Sequence, residues 1–294
     1  GVFQVEKEPS RAQKAIIKKY ELSKCVDVRD HDKVHPSLQL LEQSWIGQTV
    51  GKTLLNKEIF VCSTPEQEEV HWTTAKSFFF EKANLLALSK DDIINLIHEG
   101  LHTVQETPKA YEDNKRITAA YQTVIAREIG AVSLSVLDYY QRNPSIKSSD
   151  WRESEHRTYS EFVTLEIIED LTKEKPRIAK ILMDPMQKVP VSFIDELIYR
   201  NLSAEVVFTT YETPFYKRER KALLADKDVD YTPLTTEDLS MALIGGIYPI
   251  EELPKTIEYL EDMGEQASEA AWFIDTMEHN YQIRTGAIRK RENE

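Results

Sequence analysis

The alternation of apolar and polar residues predicts a short helix near the start of the chain and a strand further on. From Ala12 to Tyr20, apolar side chains recur among lysines with helical spacing, which is typical of a basic amphipathic helix. The polar stretch that follows, as far as Pro36, predicts a loop. From Lys57 to Ser63 the residues are β-branched and aromatic, and turn residues bound them on both sides. We interpret this segment as a strand.

The segment from Lys76 to Leu88 fits two patterns. Its aromatic content favours one strand or two short ones, whereas the spacing of its apolar residues also follows a helical stripe. We adopt the strand interpretation. The three consecutive aromatics Phe78, Phe79 and Phe80 are then expected to be core residues rather than a specificity pocket.

Helical periodicity dominates from Ser89 onward. The sequence SKDD, directly before an apolar run, has the capping-box arrangement, so we predict a helix from about Lys90 to Glu106. Further helices are predicted at Lys115 to Tyr140, Tyr159 to Lys173, Pro190 to Asn201, Thr236 to Leu243, Ile250 to Met263 and Glu265 to Ile283. Residues Glu205 to Tyr211 predict a lone strand, and the charged stretch from Glu212 to Pro233 predicts a long surface loop.

These elements together predict an α+β protein that is mainly helical. A small sheet from the region Lys57 to Leu88 is expected to pack on the helix that begins near Lys90, and helical segments complete the chain. We assign residues 1–145 to a core that contains the sheet and this helix. Residues 146–294 are expected to be a mostly helical part that completes the cleft and does not fold independently.

Composition and charge narrow the possible environments and partners. The chain has 294 residues and is 41% hydrophobic, which is enough to form a buried core. Its net charge is −13, so a nucleic-acid backbone would be repelled unless a strong basic patch existed. No stretch approaches the roughly 18 apolar residues that span a bilayer, and the start lacks the pattern of a secretory signal. We therefore expect a soluble chain without nucleic acid or a membrane span. The spacing of Cys25 and Cys62 suggests neither a metal clip nor a redox pair, and both are predicted to be reduced thiols.

The predicted helix from Lys90 carries the sequence IHEGLHTVQ. His98 and His102 are four residues apart, so their imidazoles project from one face and can share one metal ion. Glu99 flanks this face, where it can hydrogen-bond the attacking water without taking that water's place on the metal. Gly100 costs a helix about 1 kcal/mol, which favours a functional site. The alternative is a helix whose two histidines and glutamate merely lie at a solvent boundary.

The pattern from His98 to His102 resembles the signature of the zincin superfamily of metallopeptidases. The resemblance covers this helix and its flanks rather than the whole chain, and it implies two zinc ligands with Glu99 as the general base. The longer signature with a third histidine is not met, because Gln105 and Pro108 occupy its glycine and histidine positions. The resemblance is therefore to the gluzincin-like branch, in which a glutamate on a following helix completes the site.

Glu128 is the predicted third zinc ligand. It lies in a segment dense in small and apolar residues, where an ionised carboxylate is costly unless it is paired or coordinated. An ion pair with a basic side chain of another helix, or simple exposure to solvent, is the alternative for Glu128. The alternative ligands are Glu161, which we place first, Glu155 and Glu166.

The resemblance also implies a group that stabilises the oxyanion and a strand that binds the substrate. His156 or Tyr159 is the predicted oxyanion donor, although each also fits an ordinary surface or core position. Zincins lay an extended substrate along the edge of a sheet that precedes the active helix. The segment from Phe78 to Leu88 has the right place in the sequence to supply that edge.

The predicted function is that of a zinc-dependent endopeptidase acting on a protein substrate. A lone motif of this kind also resembles bacterial effector proteases that are secreted into a host cytoplasm, which implies a virulence role and a host substrate such as actin. Two alternatives stay open. One is a zinc hydrolase that acts on a non-peptide amide, and the other is a non-catalytic interaction protein with a structural or lost metal site. A structural site normally needs four protein ligands, often Cys, and two cysteines supply it poorly.

Overall fold

The computed structural model describes residues 7–30, 36–65, 77–89, 92–113, 115–151, 157–204 and 230–265. Its strands are β1 (Ser23–Asp27), β2 (Phe60–Ser63), β3 (Phe78–Phe80) and β4 (Leu85–Leu88). Its helices are α1 (Arg11–Lys19), α2 (Trp45–Asn56), α3 (Ile93–Val104), α4 (Ile117–Arg142), α5 (Ser148–Trp151), α6 (Tyr159–Glu174), α7 (Ala179–Leu182), α8 (Val191–Ser203), α9 (Thr236–Ile244) and α10 (Pro254–Glu265). The described residues are mainly helical with one small sheet, which confirms the predicted α+β class.

The chain divides into two compact units, each built from three segments of the sequence. The first unit comprises Gly1–Val104, Leu134–Ser145 and Arg177–Lys188, and the second comprises Gln105–Ser133, Ile146–Pro176 and Val189–Glu294. The predicted boundary near residue 145 stays a prediction, and so does the expectation that the part beyond it does not fold on its own.

The sheet of the first unit has four strands in the order β1-β2-β4-β3. β2 and β4 run parallel, whereas β1 and β3 pair antiparallel with their neighbours at the two edges. Every residue of β4 is buried, which explains its continuous apolar sequence. The strand interpretation of Lys76 to Leu88 is confirmed as two short strands. The turn between them contains Asn84 in the left-handed conformation, with φ 55°.

Helix α1 covers one face of this sheet. Ser10 and Gln13 form a reciprocal capping box at its start, which satisfies backbone donors that the first turn leaves open. The partly buried side chains of α1 and of the residues after it pack on a buried apolar cluster of the sheet. The Tyr20 ring lies 5.2 Å from that of Phe80 in β3. Phe78, Phe79 and Phe80 are half-buried, because β3 lies at the edge of the sheet rather than at its centre.

Helix α2 occupies a stretch for which the sequence predicted no element. Gly47 and Gly51 weaken its intrinsic helix propensity, yet Ser44 caps it by accepting a hydrogen bond from the Gly47 N–H at 2.9 Å. Ser44 also donates to Asp138, which is buried and receives the Arg142 Nε–H at 2.8 Å. Burial raises the pKa of Asp138, while Arg142 and Ser44 oppose this shift. Tertiary contacts thus fix where α2 begins.

Cys25 and Cys62 form a disulfide, so the prediction of two reduced thiols is wrong. The cysteines lie on the adjacent strands β1 and β2, which brings together residues 37 positions apart in the sequence. Their spacing carried no information about this pairing, because β1 lies in the stretch that was predicted to be a loop. The bond ties β1, and the α1 helix before it, to the interior of the sheet.

The second unit is helical in its described part. Helix α6 packs on α8, and α8 and α9 both pack on α10. The amide of Asn201, which is buried in α8, donates to Ser133 Oγ of α4 and to Thr164 Oγ1 of α6 at 2.8 and 3.1 Å. A Cβ atom at Gly130 would lie 1.9 Å from the Leu243 carbonyl oxygen, so only glycine fits where α4 meets α9.

The helices predicted in this unit lie close to the observed ones, with one late start. The predicted helix from Ile250 begins as a short 3-10 turn at Ile250–Glu252, and α10 starts at Pro254. Three predictions lie outside the described residues: the strand Glu205 to Tyr211, the helix Glu265 to Ile283 except for Glu265 itself, which ends α10, and most of the loop Glu212 to Pro233.

Removal of the disulfide is expected to lower the free energy of unfolding by about 2–4 kcal/mol, because the cross-link restricts the unfolded chain. The measurement is thermal and denaturant unfolding of a Cys25→Ala/Cys62→Ala variant beside the oxidised wild type. Wild type refolded under reducing conditions is the matched control, since it keeps both sulfur atoms and loses only the bond. Equal stability of the reduced and oxidised wild type would contradict the expectation.

Candidate metal centre

Helix α3 carries the His-Glu-xx-His sequence, and it begins later than predicted. Asp92 rather than Ser89 caps it, because Asp92 Oδ1 accepts the Asn95 N–H at 3.2 Å. The N–H of Ser89 donates instead to Ser77 Oγ at 3.0 Å. A carboxylate at this position also interacts favourably with the helix dipole. The helix ends at Val104, two residues before the predicted end.

The position of α3 is fixed from two sides. Its apolar stripe is buried and faces the sheet, with contacts to β3 and β4. Helix α2 packs on it so closely that a Cβ atom added at Gly100 would lie 2.5 Å from Val50 Cγ1. Lys57, just past the end of α2, donates to the Thr103 carbonyl of α3. The glycine within the motif therefore has a packing reason: it lets the two helices approach.

His98, Glu99 and His102 form a compact group, here called the His-Glu-His group, that can hold a metal ion. One ligand atom from each lies within 4.8 Å of the others. The two imidazole rings are 4.9 Å apart between centroids and meet edge to face at 86°. His102 is buried, with 8% of its surface exposed, whereas His98 and Glu99 are half-buried. His102 is thus enclosed by the core, while His98 and Glu99 remain partly exposed.

The edge strand β3 holds the carboxylate of Glu99. The backbone N–H of Phe79 donates to Glu99 Oε2 at 3.1 Å. In the described part of the sheet β3 pairs with β4 alone, so this N–H is available to α3. Sequence reasoning treated Phe79 as a core side chain and missed the role of its backbone. A backbone contact of this kind leaves no residue-type signal in the sequence.

The other predicted site residues belong to the second unit or lie outside the described residues. Glu128 is half-buried on α4. Glu161 accepts from Arg157 Nη1 at 3.0 Å, and Tyr159 starts α6 with 58% of its surface exposed. The remaining candidates are Glu166, which is exposed on α6, and Glu155 and His156, which are not among the described residues. Within the described chain, the His-Glu-His group includes none of them, and their roles stay predictions.

Comparisons with protein-family models, with curated proteins and with solved structures found no match. Among the described helices, none combines the length and the apolar character needed to cross a bilayer. The function is therefore inferred from the His-Glu-His group and from the elements that surround it, α3, α2 and β3.

The substitution Gly100→Ala is expected to lower the free energy of unfolding by about 1–3 kcal/mol, because the new methyl group overlaps Val50 in a packed interface. Gly51→Ala is the matched control. It lies in α2 with its nearest neighbours, two Leu41 atoms, at 3.9 Å, and it should be neutral or stabilising by up to about 1 kcal/mol. Denaturant unfolding checks both, and the cost of Gly100→Ala should shrink in a Val50→Ala background. Equal stability of the two alanine variants would contradict the close approach.

Proposed function

We propose that the protein is a zinc-dependent endopeptidase in which His98 and His102 bind the metal and Glu99 is the general base. The observation that carries the proposal is the His-Glu-His group on one helix, in which a ring nitrogen of each histidine and a carboxylate oxygen of Glu99 lie within 4.8 Å of one another. The resemblance of this helix to the zincin signature supports zinc as the metal and the peptide bond as the target.

The donor set fits a catalytic zinc better than a structural one. A structural site is closed by four protein ligands, often cysteines. Both cysteines of this chain are joined in the disulfide, so thiolate ligands are not available. Two imidazoles leave room for a third protein ligand and for an open position, as catalytic sites require. Bound zinc would polarise the substrate carbonyl and lower the pKa of the attacking water.

The geometry of Glu99 suits proton transfer. The Phe79 N–H engages Oε2 of the carboxylate, and an ionised carboxylate has a second oxygen with further acceptor sites. The contact orients Glu99 beside the imidazoles by means of the sheet. Glu99 then accepts the proton of the attacking water and delivers it to the leaving amine.

The edge position of β3 suits a polypeptide substrate. β3 is an edge strand that lies directly beside Glu99. An extended peptide can add to such an edge as a further strand through backbone groups other than the Phe79 N–H, which Glu99 already engages. This supports a protein rather than a small amide as the substrate. Delivery into a host cytoplasm and actin as the target rest on the resemblance to effector proteases alone. The disulfide is more typical of chains that function in oxidising compartments.

Mutations are expected to distinguish the residues that bind the metal from the residue that acts as the general base. His98→Ala and His102→Ala should each remove most of the bound zinc, because one imidazole holds the ion far less tightly than two. Glu99→Gln should keep about one zinc per chain and reduce cleavage of fluorescein-labelled casein by roughly 10²–10⁴-fold, because an amide cannot accept the proton. Metal analysis and the casein assay measure the two effects.

Glu106→Gln is the matched control for this experiment, because Glu106 is exposed just beyond the end of α3. It should change neither zinc content nor turnover. Full zinc retention in both histidine variants would refute the metal assignment. A zinc-loaded wild type that cleaves neither casein nor a panel of other denatured proteins would refute the endopeptidase.

The third-ligand assignment has its own test. Glu128→Gln replaces a charged oxygen ligand by a neutral amide, so zinc affinity should fall steeply and activity should return in part at high added zinc. Glu161→Gln is the comparison variant and should change neither. If Glu128→Gln retains tight zinc and normal turnover, Glu128 is not a ligand, and the same measurements on Glu161 and then Glu155 decide between the alternatives.

A further inference from the structure

Asn95, on the first turn of α3, has a buried polar atom with no hydrogen-bond partner among the described residues. Its Oδ1 is shielded from solvent and accepts no hydrogen bond in the part of the chain that the structure describes. The backbone N–H of the same residue is satisfied, because it donates to Asp92 Oδ1 at 3.2 Å. Native proteins pair the great majority of such buried acceptors. An apolar side chain at this position would avoid the cost, so the carboxamide calls for an explanation.

The helix places Asn95 beside the His-Glu-His group. It precedes His98 by three residues and Glu99 by four, which are the spacings of neighbours on one helix face. Side chains on a helix lean toward its N-terminus, so those of His98 and Glu99 extend over the turn that carries Asn95. The carboxamide therefore lies one turn from the proposed base, on the face that carries the metal ligands.

Local helix capping does not account for this carboxamide. Asn95 is the third residue of the helix after the Asp92 cap, where a longer side chain often bonds back to the backbone of the cap. Because Oδ1 has no partner in the described structure, it does not make that bond. A comparable shielded atom, Thr118 Oγ1, lies in the second unit on α4, and it provides a comparison for experiments.

We propose that Asn95 positions the substrate, with its Oδ1 accepting a hydrogen bond from a backbone N–H of the bound polypeptide near the scissile bond. The inference rests on the proposed function and names a further residue of the same site. A carboxamide oxygen is a neutral acceptor that suits a peptide N–H. The torsion χ2 of Asn is broad, so the carboxamide can rotate its oxygen out of the shielded position to meet the N–H of an incoming polypeptide. Because Oδ1 is already desolvated in the free protein, substrate binding does not incur that cost again.

Asn95→Leu is expected to weaken substrate binding without lowering the stability of the protein. Removing an unpartnered buried oxygen should leave the melting temperature of the metal-free protein unchanged or higher. In zinc-loaded enzyme, kcat/KM for fluorescein-labelled casein should fall about tenfold, since a typical hydrogen bond is worth close to one decade in affinity. Zinc content should not change. In the Glu99→Gln background, which binds without turnover, fluorescence anisotropy should show about tenfold weaker casein binding.

Thr118→Val is the matched control, because it also removes a shielded oxygen that has no partner in the part of the chain that the structure describes. It should match Asn95→Leu in stability and leave casein binding and turnover unchanged. If wild type cleaves casein and Asn95→Leu binds and cleaves it equally well, the inference is wrong while the proposed function stands. If Asn95→Leu loses activity together with zinc or melting temperature, Asn95 is a structural residue and the inference is also wrong. If zinc-loaded wild type binds and cleaves no protein substrate, the proposed function itself fails.

Discussion

The close packing of α3 between the sheet and α2 is the constraint on which the rest of the site depends. The imidazoles share one side of the helix because of the helical repeat, but their place in the molecule is set by contacts on the opposite side. Gly100 lets α2 approach to a distance that no other residue permits. The buried Ser44 and Asp138, together with the partly buried Arg142, fix the start of α2 in turn. The orientation of the site therefore depends on glycine and polar contacts as well as on apolar burial.

Sequence periodicity predicted the elements whose stabilising contacts recur along the helix or strand itself. The apolar stripe of α3, the strands near Phe60 and Leu85 and the later helices were recognisable because their burial follows a fixed repeat. Helix α2 and strand β1 were missed. The first contains two glycines, and the second has a polar sequence that becomes regular only through pairing with β2 and the disulfide. Their stability comes from distant residues, which a local pattern does not contain.

The candidate site likewise has features that the sequence predicted and features that it did not. His98, Glu99 and His102 were found from the sequence because their spacing along a helix directly determines that they lie on neighbouring positions of one face. The Phe79 contact with Glu99 was not found, because it depends on strand pairing and on a backbone group that every residue possesses. Both Ser and Asp cap helices well, so the sequence alone did not distinguish Ser89 from Asp92. In the structure the Asp92 carboxylate accepts the Asn95 N–H and caps the helix.

The disulfide has a consequence for the order in which the chain matures. Cys62 is fully buried, while Cys25 is partly exposed, so an external thiolate can approach only the Cys25 side of the bond. Cys62 would then have to depart as a thiolate in apolar surroundings, which makes it a poor leaving group. Exchange in the folded protein is therefore slow in both directions. The bond therefore forms more readily before α1 docks on the sheet than afterwards, and the redox conditions during folding have more influence on the form of the protein than those met later.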